Sequence, residues 1–304
     1  MRVINYLLSL SIVFSSCKEP FAPYKDPNTK SVLVVDGFID TGGGKISIRL
    51  TRTANLGGPV TYWYEPDATL KIEGEDGSSI STITDFSGVG IFTTRLTDST
   101  QKYKLSITTH AGKIYSTDFL ENKKSPEIKS IAYKTENCQL RIVINTEDKT
   151  NSARYYQWTF YGGFEGGDPS ISRAGCDDGQ FSKEILVASS AKLVDDNIYE
   201  FPIAFAKKNC FEIRNAFSID VIQSAITSDG YNYLLNMKKN TEKIGGIFDP
   251  QPSEILGNIK CISNPSEPVI GFISCGTVSK KSFKVLKKDI FNWVHNGDNC
   301  IDKY

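Results

Sequence analysis

From residue 31 onward the chain is written in short stretches where apolar and polar side chains alternate, separated by turn-forming clusters. Lys45-Ile46-Ser47-Ile48-Arg49-Leu50 and Ala68-Thr69-Leu70-Lys71-Ile72-Glu73 each place their aliphatic residues on one face of an extended strand. Val32-Leu33-Val34-Val35 is a mostly β-branched run of the kind that fills a strand interior. Tyr103 to Thr109 and Lys113 to Thr117 flank His110-Ala111-Gly112, which reads as a hairpin loop with glycine at the position that needs a positive φ. Strands at this spacing predict an immunoglobulin-like β-sandwich over residues 31–124.

Lys123-Lys124-Ser125-Pro126 interrupts the pattern and marks a domain boundary. Beyond it, Ile128 to Tyr133, Leu140 to Asn145 and Arg154 to Phe160 restart the strand signature, so a second β-rich, sandwich-like domain is expected over residues 125–290. The 3.6-residue period surfaces once. Tyr231, Leu234 and Leu235 fall on one face and lysines gather near the end, which predicts one main helix over residues 229–240 with Ser228 as its N-cap. Val269 to Ser274 and Ser282 to Leu286 read as the closing strands of that second domain, and residues 291–304 as a C-terminal tail. The fold class is therefore mainly β, with two sandwich-like domains and one main α-helix.

Composition narrows the functional classes. Lysine plus arginine balances aspartate plus glutamate at 35 each, and removal of a leader carrying only Arg2 leaves 34 against 35. That balance gives no electrostatic basis for nucleic-acid binding. The two histidines, His110 and His295, cannot form a three-histidine metal site. No metal or other cofactor is expected.

The first residues change the picture more. Met1-Arg2 precede an apolar run from Val3 to Phe14, then Ser15-Ser16-Cys17, the layout of a signal peptide over residues 1–16 and too short to span a bilayer. Small residues before Cys17 resemble a bacterial lipobox, with Phe14 where leucine is usual, so lipidation of Cys17 is expected. Residues 17–30 hold Pro20, Pro23 and Pro27 without periodicity and read as an extended tether. Export implies an oxidising compartment. Cys138, Cys176, Cys210, Cys261, Cys275 and Cys300 are then all candidates for disulfides, and Cys261, Cys275 and Cys300 suggest a crosslink in the closing segment.

Candidate chemistry is sparse. Ser189-Ser190-Ala191-Lys192 matches S-x-x-K without its companion elements, and the acidic pairs Asp177-Asp178 and Asp195-Asp196 read as surface turns. No catalytic residue is assigned. Aromatic residues are the stronger signal: on a strand Tyr156, Trp158 and Phe160 share one face, while Tyr155, Gln157, Thr159 and Tyr161 share the other. Trp63 sits in a loop-like stretch, and Phe248 follows two glycines before Asp249-Pro250-Gln251-Pro252. Trp63, Tyr155, Tyr161 and Phe248 are the candidate binding surface, with core packing as the alternative for each. Asp98-Ser99-Thr100 fits a short O-glycosylation sequon at Ser99, or a plain turn.

Ser31 to Ile39, Tyr155-Tyr156-Gln157-Trp158, and Gly245-Gly246-Ile247-Phe248-Asp249-Pro250-Gln251-Pro252-Ser253 with Gly257-Asn258-Ile259-Lys260-Cys261 together resemble one family. It is the Bacteroidota lipoproteins grouped as domain of unknown function 4249. The resemblance covers residues 31 to 290 and implies an outer-membrane lipoprotein with a TonB-dependent receptor as partner. Lys18-Glu19 partly resembles the signal that sends such lipoproteins to the cell surface rather than the periplasmic face. The expected function is a non-enzymatic binding or accessory module in nutrient capture or import; a structural or adhesive envelope protein is the alternative. The family carries no chemistry to transfer to any residue.

Overall fold

The computed structural model describes residues 31–53, 63–136, 138–167, 176, 180–182, 184–242 and 257–295. The chain begins with β1 (Leu33–Asp40), β2 (Ile46–Arg52), β3 (Trp63–Tyr64), β4 (Thr69–Gly74), β5 (Ser79–Ile83), β6 (Val89–Phe92), β7 (Tyr103–Thr108), β8 (Ile114–Thr117) and β9 (Asn122–Lys123). It continues through β10 (Ile128–Glu136), β11 (Gln139–Asp148), β12 (Tyr155–Glu165), β13 (Gln180–Phe181), β14 (Leu186–Ser189), β15 (Asp196–Lys207), the short α1 (Cys210–Ile213), β16 (Ala216–Ala225) and α2 (Ser228–Glu242). Last come β17 (Ile259–Cys261), β18 (Val269–Ile270), β19 (Ser274–Gly276), β20 (Val278–Leu286) and α3 (Phe291–His295).

The first sandwich faces the sheet β17-β8-β7-β4-β5 against a sheet ordered β3-β2-β1-β19-β9, with β6 also on β2 and β18 also on β1. Alternation does what the sequence demands: Ile46, Ile48 and Leu50 of β2 are buried with Leu70 and Ile72 of β4 and Leu105 and Ile107 of β7. The second sandwich faces β10-β11-β15 against β13-β12-β16-β20, with β14 also on β12. Its core is aromatic: Tyr156 and Trp158 of β12 stack, Trp158 stacks again on Phe201 with centroids 4.7 Å apart, and Phe164 meets Phe211 and Phe217 edge-on.

Three features depart from the sequence expectation. β17, β18 and β19 belong to the first sandwich, not the second. β17 pairs antiparallel with β8, while β18 and β19 run parallel to β1, as Leu33↔Val269 and Phe38↔Ser274. The 125–290 boundary is thus replaced by an insertion: between β16 and β20 of the second sandwich the chain leaves, completes the first, and returns. These strands hold only two or three residues each, too few for alternation to announce a partner. Residues 291–295 are not tail either, since Val294 is buried in the second core and Trp293 packs on Phe211. The helix spans Ser228–Glu242, and Thr227 rather than Ser228 caps it, its Oγ1 accepting from the Gly230 N–H at 3.2 Å.

The cysteines divide by domain. Cys176 and Cys210 form a disulfide in the second sandwich, and Cys138 is disulfide-bonded to a partner outside the described residues. Cys261 and Cys275 take no part in the crosslink expected of the closing segment: both are free, buried thiols in the first core. They lie on β17 and β19, and each fills space in that core as a small apolar side chain. Burial, helped by the nearby Asp40 carboxylate, pushes the Cys275 thiol up to about 12, which keeps it protonated and unreactive. Cys300 and Phe248 lie outside the described residues.

The returning segment is held by backbone contact and one side chain. Asn258 pairs with the peptide of Ile273, accepting its N–H at 2.9 Å and donating to its carbonyl at 2.8 Å. Gly257 and Gly271 allow the approach: a Cβ on Gly257 would fall 1.9 Å from the Gly271 oxygen, and one on Gly271 would fall 2.3 Å from the Val35 oxygen. Gly271 also has φ +142°, a region closed to most side chains. Gly271→Ala is therefore expected to destabilise the first sandwich by about 2 to 3 kcal/mol. Urea denaturation checks this, and an unchanged midpoint would refute the close approach.

Candidate functional site at the junction of the sandwiches

Two crossings of the chain between the sandwiches run side by side. β19 pairs parallel with β9 through Cys275↔Asn122 and Gly276↔Lys123. Just beyond, the Thr277 N–H donates to the Lys123 carbonyl at 2.9 Å, and the Ser125 N–H donates to Thr277 Oγ1 at 3.0 Å. The hairpin after β1 is tied to the same place, with Thr41 N–H on the Gly276 carbonyl at 2.9 Å and Thr41 Oγ1 donating to Asn122 at 3.0 Å.

Gln223, on β16, anchors this crossing to the second core. Its side chain is fully buried, and both ends of the amide are used. Oε1 accepts from the Trp158 indole N–H at 2.9 Å and from the Thr146 hydroxyl. Nε2 donates to the Pro126 carbonyl at 2.8 Å. A buried amide with this many partners fixes one arrangement, because any shift leaves a donor unpaired in the core. The loops at this end are braced by acids. Asp148 accepts from Thr150, Ser152 and Ala153, and although burial works to raise its carboxyl, those bonds hold it well below the usual carboxylate range. Asp196 accepts from Tyr156 and Ser190 inside the second sandwich, so it is a structural brace and not a surface turn.

Two clefts flank the crossing. One, about 480 Å³, lies beside α2 and is walled by Phe119, Arg154, Tyr155, Asp229 and Phe272 among others. The helix is wedged between the sandwiches: Tyr231 packs on Tyr155 of β12 at 5.3 Å, and Tyr233 packs on Phe272 of the returning segment at 5.5 Å. The Arg154 guanidinium is committed to the carbonyls of Ser190, Leu193 and Val194. The other cleft, about 370 Å³, lies between Phe38, Asp40, Lys45 and Ser47 of the first sandwich and Gln157, Thr159, Ile222, Ser224, Val278 and Lys280 of the second.

The sequence candidates are scattered over this frame. Tyr156 and Trp158 are core, and Phe160 packs against it. On the other face of β12, Tyr155 is covered by α2, Gln157 and Thr159 line the smaller cleft, and Tyr161 is 51% exposed further along the strand. Trp63 is 59% exposed on the edge strand β3, next to Tyr64 and near the turn carrying Phe86, which is 88% exposed. Tyr155 is therefore taken up by packing on α2, while Tyr161 on the same face of β12 and Trp63 on β3 stay exposed. Ser99 is half-buried in a turn where Asp98 accepts from the Thr100 N–H at 2.8 Å. His110 is an exposed hairpin residue. Sequence reasoning missed Asp40, Lys45, Lys280 and Gln223; the only advance signal was the run Asp40-Thr41-Gly42-Gly43-Gly44-Lys45, whose three glycines mark close packing around a charged end.

Gln223→Leu keeps the volume and strips the partners of Trp158 and Pro126. It is expected to cost about 2 to 3 kcal/mol by urea denaturation, whereas Gln157→Ala on the outer face of the same sheet costs within about 0.5 kcal/mol.

Comparison with solved structures finds similarity to a two-domain fibronectin type-III segment of chicken tenascin, at 11% identity and a TM-score of 0.21, covering 64% of this chain and 91% of that one. No curated protein matches the sequence. Residues 18–282 match the family described as Domain of unknown function (DUF4249), and with most of its length matched the chain belongs to that family.

Proposed function

We propose that this chain is a non-enzymatic binding or accessory module, anchored to the outer membrane through lipidated Cys17 and partnered with a TonB-dependent receptor in nutrient capture. The observation that carries the binding role is the pair of ligand-sized clefts whose walls come from both sandwiches, held in place by the doubled crossing and Gln223. Clefts at domain junctions are where small-molecule sites concentrate, and a preformed one saves the cost of ordering its walls on binding. The fold supports a non-catalytic reading, since the S-x-x-K residues fall at the end of β14, Ser189 hydrogen-bonding the Ala191 N–H, rather than one turn apart on a helix. For a protein partner the exposed aromatic group of Trp63, Tyr64 and Phe86 is a fitting contact, being large, rigid and already solvent-facing. Residues 17–30, which precede β1, supply the length of a tether between the lipid and the first sandwich.

The test is purification of the tagged, full-length protein from native membranes. A stoichiometric β-barrel receptor in the eluate, and release of Cys17→Ala as soluble protein, are the expected results. Repeated absence of a receptor favours the structural or adhesive role, and a Cys17→Ala protein that stays with the outer membrane refutes the anchor.

A further inference from the structure

The smaller cleft carries a charge arrangement that the fold itself does not use. Asp40, at the end of β1, is only 5% exposed, yet its side chain lines the cleft. Its Oδ1 accepts the Gly42 N–H at 2.8 Å, and among the described residues no donor meets Oδ2. The glycine run permits this burial: a Cβ on Gly44 would fall 1.7 Å from Oδ2. With Oδ1 committed to Gly42 and Oδ2 free of donors among the described residues, this carboxylate can accept a hydrogen bond from a ligand in the cleft without giving up an existing one.

The cations of the cleft point to the rest of that ligand. Lys45 comes from the first sandwich and Lys280 from the second, and neither makes an ion pair among the described residues. Their neighbours are engaged: Lys281 donates to the Ile128 carbonyl at 3.1 Å, and Lys284 pairs with Glu165. Two lysines against one carboxylate favour an anion, while the unpaired oxygen of Asp40 asks for a donor. Phe38 offers an apolar surface, and Gln157 and Ser47 add polar groups on the two walls. At about 370 Å³ the space suits one or two sugar rings.

We infer that the cleft between Asp40, Lys45 and Lys280 binds an acidic sugar, a hexuronic acid free or at the end of a polyuronate chain. Ring hydroxyls donate to Asp40 Oδ2, the uronate carboxylate sits between Lys45 and Lys280, and the C–H face of the ring lies on Phe38. This deepens the binding reading above but does not depend on a receptor. It is measured on the purified chain alone, so its failure and the failure of receptor co-purification are separate results.

The experiment is calorimetric titration of the full-length protein in detergent with galacturonic acid and trigalacturonate, beside galactose and glutamate. Uronate binding that weakens as salt rises is expected, with galactose and glutamate at least about tenfold weaker. Asp40→Asn, which keeps the shape, and Lys280→Ala, on an exposed strand position, should each weaken uronate binding about tenfold or more. If Asp40→Asn fails to fold by circular dichroism, Lys280→Ala and Lys45→Ala decide. Binding of trigalacturonate without the monomer places the site on polymer ends. No uronate binding by the folded protein, uronate binding unchanged in the folded variants, or stronger binding of glutamate would each overturn the proposal.

Discussion

Parallel strands cannot be joined by a tight turn; the chain must travel out and come back before the second strand can lie beside the first. In this protein the pairing of β19 with both β1 and β9 imposes that constraint, and the excursion between β9 and β19 is the second sandwich itself, short of its last strand. Each sandwich is therefore completed by chain that has passed through the other. β17 to β19 close the first after the second is nearly built, and β20 closes the second after the first is complete. Contacts this distant in sequence are slow to form, and the folding of the two units is coupled through them.

The same constraint explains the junction. Two crossings that are hydrogen-bonded to each other resist the rotation that a single linker would allow, and Gln223 ties them to the aromatic core through Trp158. α2 closes one flank by stacking Tyr231 on one sandwich and Tyr233 on the other. The clefts are then fixed geometric features rather than gaps between mobile domains. That is the physical basis for reading them as binding sites, and for treating Lys45 and Lys280, which come from different sandwiches, as one site.

Much of this was legible in the sequence where periodicity is strong. β2, β4 and β7 alternate cleanly, and their inward residues are the ones the structure buries. The inward face of β12 and the helix α2 were readable for the same reason. The returning strands were not, because two or three residues with glycine and cysteine among them carry no period, and a parallel partner far away leaves no local trace. Their signature was instead Gly257-Asn258, residues whose role is to let two backbones touch and to pair with the Ile273 peptide. Cys261 and Cys275 misled for a related reason: even number and compartment predict bonding, but a count carries no trace of which cysteines the tertiary fold brings together. The charged cleft was hidden because Asp40 and Lys280 meet only through the tertiary fold.

Residues 257–276 are an integral part of the first sandwich. Native-state hydrogen exchange tests it most directly, by comparing amides of β17 and β19 with those of β1 and β2. All four strands are expected to share one opening free energy and one denaturant dependence. Fast, loop-like exchange in β17 and β19 while β1 and β2 remain protected would contradict it.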